Sequence, residues 1–116
     1  MKPRSLFIVS SDPRTSGLPA EAIRIAAGVG AWKRVEVLLY LRDAAVLAVG
    51  EFVDALVDED HFERYLPILG EWGRPVYVQG QNPLLNELGS PSLPLEPISD
   101  RQLAALAASA NHVLHF

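Results

Sequence analysis

The chain has 116 residues, 49% of them apolar and 21% charged, with a formal net charge of −4 and no cysteine. A chain of this length buries roughly two-thirds of its unfolded surface, which allows one core without staples, so a single domain spanning residues 1–116 is expected. The composition excludes disulfides and thiolate metal sites, the scattered Lys and Arg argue against nucleic acid as a partner, and no apolar run reaches the roughly 20 residues that span a bilayer.

The first stretch, MKPRSLFIVSSD, begins with basic residues, but its apolar run is short for the hydrophobic region of a signal peptide. It reads as a first strand, Ser5 to Ser10, and a cytoplasmic location is the expectation. Ala22, Ile25, Ala26 and Val29 then recur at helical spacing and predict a crossover helix, with Ala27, Gly28 and Gly30 small enough to let it approach a sheet. Val35 to Tyr40 is a second apolar strand, and Asp43 to Val49 a short helix. Glu51, Asp54, Asp58, Glu59, Asp60 and Glu63 follow with no Lys or Arg among them, which suits a solvated loop and the first turn of a helix. That helix is predicted from Asp60 to Trp72, with Phe62, Leu66 and Leu69 facing inward. Pro75 to Val78 is the third strand. After Gln79-Gly80-Gln81-Asn82, an apolar helical pattern resumes at Pro83. Pro91, Pro94 and Pro97 then limit Leu95 to Ile98 to a short or edge strand. Ser99 and Gln102 match a capping box ahead of Leu103, Leu106 and Ala107, so a last helix runs from Ser99 or Asp100 to Ser109. His112 to Phe116 is the final strand.

This alternation predicts an α/β three-layer sandwich, with a five-stranded, mainly parallel sheet and helices on both sides. Ile8, Val9, Val37, Leu39, Val76, Val78 and Val113 are the expected core, with Trp32 and Trp72 as packing anchors. In a parallel sheet the loops after the first three strands gather at one edge. They bring together Ser10, Ser11, Asp12, Arg14, Arg42, Asp43, Gln79, Gln81 and Asn82, enough polar groups to bind a small polar or anionic ligand. The same residue types also form turns for local reasons. The Gly28–Gly30 pair lies late in a helix and cannot be a dinucleotide loop. His112 and His115 fall on opposite faces of a strand, and His61 stands alone among acids, so neither metal nor cofactor is expected. Ser10 and Ser11 have no nearby base, and no catalytic residue is assigned.

The stretches SLFIVSSDP, AEAIRIAAGVGAWKRVEVLLY, GRPVYVQGQ and ISDRQLAALAASANHVLHF, in that order, resemble the DsrE/DsrF-like family, which includes the sulfur-relay subunits of the TusBCD and DsrEFH type. The resemblance implies a DsrE/F-like fold. Members of that family that carry sulfur place a cysteine just after the third strand, which corresponds here to Gln79 or a residue up to Asn82. A glutamine amide neither ionises near neutral pH nor takes sulfur, so the chain cannot act by itself as a cysteine-dependent sulfurtransferase. The resemblance then implies a non-catalytic assembly or scaffold subunit. It would be a homo-oligomer, trimer or hexamer, or would join a cysteine-bearing paralogue. The alternative is a ligand-binding protein, or an enzyme of another class, using the loops at the carboxyl end of the sheet. Leu84, Leu85, Leu88, Leu93, Leu95 and Ile98 are the expected apolar contact surface, unless the segment folds back over its own leucines.

Overall fold

A computed structural model describes residues 2–91 and 93–116. Ser92, inside the proline-rich stretch, lies outside the described residues. The strands are β1 (Arg4–Val9), β2 (Glu36–Leu41), β3 (Val76–Gln79), β4 (Leu95–Ile98) and β5 (His112–His115), and the α-helices are α1 (Leu18–Ala31), α2 (Glu59–Gly70) and α3 (Asp100–Ser109). Two 3-10 helices, Asp43–Val49 and Pro83–Glu87, follow β2 and β3. All strand pairs are parallel, in the order β4-β3-β2-β1-β5. The three-layer reading therefore holds, and the sheet is parallel throughout.

Side-chain alternation divides the apolar runs between two layers. Phe7, Val9, Val37, Leu39, Leu41, Val76 and Val78 pack with the helices of the first layer, whereas Leu6, Ile8, Leu38, Tyr40 and Ile98 face α3 and its Leu103, Leu106 and Ala107. The central strands are nearly all apolar because both faces are covered. The layers are unequal. The first holds α1, α2 and both 3-10 segments; the second holds α3 alone, which contributes no fully buried residue. This follows from topology: the chain steps from β1 to β4 in one direction, then α3 carries it back to the far edge.

Helix α1 packs through Ala20, Ala22, Ile23, Ala26 and Ala27. Its buried stripe is centred on Ile23, with Ile25 and Val29 only partly covered, and Gly28 faces open space. Gly30 does allow a close approach, but to Trp72 rather than to the sheet: a Cβ there would clash with the indole at its Cζ2. Phe62, Leu66 and Leu69 are the inner face of α2, and the α3 capping box forms, with Gln102 N donating to Ser99 Oγ at 3.1 Å and Ser99 N donating to Gln102 Oε1 at 2.8 Å.

Three expectations need correction. Val113 is 39% exposed, because β5 is an edge strand and all four of its residues lie open. Trp32 is 75% exposed and anchors nothing; only Trp72 packs. The stretch after Pro83 does fold back on itself: Leu88, Leu93 and Ile98 are buried, and Leu84, Leu85 and Leu95 are partly covered. That segment is not a spare apolar patch.

Candidate functional site

Parallel strands deliver their following loops to one end of the sheet, and the groups predicted there are indeed at that end. Their partners are the informative part. Asp43 opens the first 3-10 helix with φ 53°, in the left-handed region that costs a non-glycine residue roughly 1 kcal/mol or more. Both of its backbone groups are held by amides from the neighbouring loop: Asp43 N donates to Gln79 Oε1 at 2.9 Å, and Asn82 Nδ2 donates to the Asp43 carbonyl at 2.9 Å. Asn82 Nδ2 also reaches Gln79 Oε1 at 3.3 Å, while Asn82 Oδ1 accepts from Leu84 N at 3.0 Å and caps the second 3-10 helix. Backbone donors at Asp43 and Leu84 fix which end of each amide is the oxygen. Asn82 is buried. The amides therefore act as a clamp that joins the end of β2 to the end of β3.

Both arginines are paired locally. Arg14 grips Asp12 through its backbone N (2.9 Å), Nε (3.0 Å) and Nη2 (2.9 Å). The hydrogen bonds from Arg14 hold the Asp12 carboxyl below its ordinary value, and Asp12 in turn raises Arg14. Arg42 Nε stands 3.7 Å from Asp43 Oδ2. Ser10 is exposed, with its backbone N–H on the Phe116 carbonyl at 3.0 Å; Ser11 is half-buried. Gln81 is exposed and takes no part in the clamp. The nine predicted residues thus fall into a β1 loop closed on itself by Asp12 and Arg14, and a β2–β3 clamp made by Asp43, Gln79 and Asn82. No hydrogen bond joins the two groups among the described residues.

A cleft of about 580 Å³ lies beside the clamp, lined by Gln79, Gly80, Gln81, Pro97, Ile98, Ser99 and Asp100. Four of these seven residues, Pro97 to Asp100, come from the junction of β4 and α3, whose place beside β3 is not readable from local sequence pattern. Gly80 is confined there, with its N–H on the Ile98 carbonyl at 3.0 Å and that oxygen 3.1 Å from any added Cβ. A second missed group is Tyr40, which reads as ordinary core. Its ring is fully buried under α3, its hydroxyl finds no hydrogen-bond partner among the described residues, and burial raises its pKa. Another cavity, about 600 Å³, opens at the opposite end of the sheet beside Trp72, Arg74, Lys33 and Glu36. No cluster of three or more metal-ligating side chains occurs among the described residues. No helix among them is long and apolar enough to cross a membrane.

Neither a protein-family model nor a curated protein sequence matches this chain. Among solved structures, the crystal structure of the ychN protein from E. coli, a DsrE/DsrF-like fold, superimposes with a TM-score of 0.75 over 100% of both chains, at 22% sequence identity. The chain has a DsrE-like fold. At that identity the likeness concerns architecture alone. Within the DsrE-like frame, the end of β3 carries a glutamine engaged with its neighbour's backbone, and the chain has no cysteine to supply a thiol anywhere.

Proposed function

We propose that this DsrE-like protein is a non-catalytic subunit that acts through assembly, with copies of itself as a trimer or hexamer or with a cysteine-bearing paralogue linked to sulfur relay. The observation that carries the reading is Gln79. It stands at the strand end where the resembled family places its sulfur carrier, and its amide is committed to holding Asp43 in a left-handed conformation. A thiolate is needed to accept sulfane sulfur, and neither an amide nor any other side chain here supplies one. The same frame leaves apolar surface uncovered at the open edge, on Val113 and Leu114. Incubation with a persulfide donor, read by intact mass, should leave the protein unchanged. Native mass spectrometry of the purified chain should show a multimer. A stable persulfide adduct would overturn the non-catalytic part, and a single monomer peak the assembly part.

The 580 Å³ cleft supports a second reading, as a site for a small polar ligand. Its lining holds free amide groups on Gln81 and the Asp100 carboxylate, while Arg14 is occupied by Asp12, so a neutral or cationic polar molecule suits it better than an anion. Differential scanning fluorimetry against a panel of such molecules tests this; a shift abolished by Gln81→Ala would favour it.

A further inference from the structure

The two edges of the sheet are built differently. At one edge, β4 carries exposed Pro97, which has no N–H to offer, next to exposed Glu96. Proline and charge are the usual means by which an edge strand is kept from pairing with another chain. At the other edge, β5 has the sequence His112-Val113-Leu114-His115, without proline, lysine, arginine or acid, and all four residues are exposed. Its pairing with β1 sets Val113 beside Leu6 and Leu114 beside Phe7, so Val113 faces the α3 layer and Leu114 the α1 layer. A strand added here would meet apolar surface on both faces.

The hydrogen-bond phase of β5 is also determined. Phe116 turns both backbone groups toward β1, its N–H to the Ile8 carbonyl at 2.9 Å and its carbonyl to the Ser10 N–H at 3.0 Å. Because backbone direction alternates along a strand, Leu114 and His112 face β1 too, and Val113 and His115 point their N–H and C=O groups outward. The partner that fits must offer an open edge with the same two outward residues and apolar surface on both faces. β4 of another copy does not, since Pro97 and Glu96 stand in it. β5 of another copy does.

We infer that two copies of the chain pair through β5, antiparallel, about a two-fold axis at Leu114. This rests on the assembly reading and specifies one contact of it. With Val113 opposite His115 of the second copy and the reverse, every outward backbone group of both strands is used, and the two Leu114 side chains meet at the non-hydrogen-bonded position on the axis, where Cα atoms lie about 4.5 Å apart. The contact is isologous and closes, so it belongs to a dimer or to a hexamer with two-fold axes and not to a lone trimer.

The absence of cysteine makes the test direct. Leu114→Cys places the only thiol of each chain on the axis, at a Cα spacing of about 4.5 Å, within the range a disulfide accepts. Under mild oxidation at micromolar concentration it should form a covalent dimer on the order of a hundredfold faster than Phe52→Cys, because thiols held together react at millimolar or higher effective concentration. Phe52 is 70% exposed and packs beside Gly89, in the segment that follows β3, whereas β5 is the edge beyond β1, so a thiol at Phe52 reports random collision. Val113→Pro provides a second test, since it removes an outward N–H without touching the bonds to β1; it should keep the circular dichroism spectrum of the parent and lower the native mass. Equal cross-linking rates for the two cysteine variants would overturn the pairing. If the parent is multimeric while Leu114→Cys does not cross-link preferentially, the β5 contact is wrong and assembly stands. If the parent is a monomer, the assembly reading itself falls, and the contact with it.

Discussion

Removal of the Asn82 side chain is the sharpest test of the amide clamp. Asn82→Ala deletes three interactions at once: the bond to the Asp43 carbonyl, the longer bond to Gln79 and the cap on Leu84 N. A net intramolecular hydrogen bond contributes about 1 kcal/mol. Loss of an Asn cap costs about 0.5–2 kcal/mol, and the lower end applies to a 3-10 segment as short as Pro83–Glu87. The 3.3 Å bond adds little. The Asp43 carbonyl and Leu84 N–H lose partners in a half-covered setting where water replaces them only in part. The sum is about 2 kcal/mol. With a urea dependence of about 2 kcal/mol per molar for a chain this size, the midpoint should fall by about 1 M. Gln81→Ala, at an exposed side chain outside the clamp, should stay within about 0.5 kcal/mol of the parent. Equilibrium urea unfolding followed by circular dichroism measures both. If Asn82→Ala also stays within about 0.5 kcal/mol, the clamp is solvated decoration, and the explanation given for amides at the end of β3 is wrong.

Other consequences concern the core and the charged loop. Gly30→Ala forces the Trp72 ring off α1 and should destabilise by about 1–3 kcal/mol, as overpacking does; in Trp72→Ala the same substitution should cost far less, and equal costs in the two backgrounds would refute the contact. Tyr40→Phe removes a buried hydroxyl without a protein partner and should raise stability by up to about 1 kcal/mol in the same urea assay, whereas a clear loss would show that the hydroxyl is bonded. Asp12 has a folded-state pKa below its ordinary 3.8, so its pair with Arg14 favours folding above that pH and loses its effect as pH falls through the lowered value. Asp12→Asn should therefore lower stability by a constant amount above about pH 4 and flatten the acid limb below it, leaving only the shape of the neutral-to-alkaline profile unchanged; a loss confined to alkaline pH would contradict the assignment.

The order of elements was legible because each central strand is buried on both faces, which leaves an unmistakable apolar run, and because Ser99 and Gln102 mark the start of α3 in local chemistry. Edges were not. Val113 and Leu114 read as core beside Phe116, yet β5 has a neighbour on one side only, and sheet order is a property of the whole chain. The helix stripe on α1 shifted to Ile23 because adjacent apolar residues are interchangeable in a periodic pattern until a sheet selects among them. The loops after β1, β2 and β3 do gather at one end of the sheet, but what their polar side chains hold depends on contacts across long sequence distances. Nothing local indicates that Gln79 and Asn82 hold Asp43, and β4 joins the cleft only through its pairing with β3. By contrast, the Asp12–Arg14 pair is two residues apart and could have been anticipated from a turn.

Sedimentation velocity of the purified chain at micromolar concentration tests most directly the proposal that this chain of DsrE-like fold acts by assembly and not by sulfur chemistry. One dominant boundary is expected at the mass of a trimer or hexamer, with the hexamer required if the β5 contact operates within it. A single boundary at 12.7 kDa across that concentration range would contradict it.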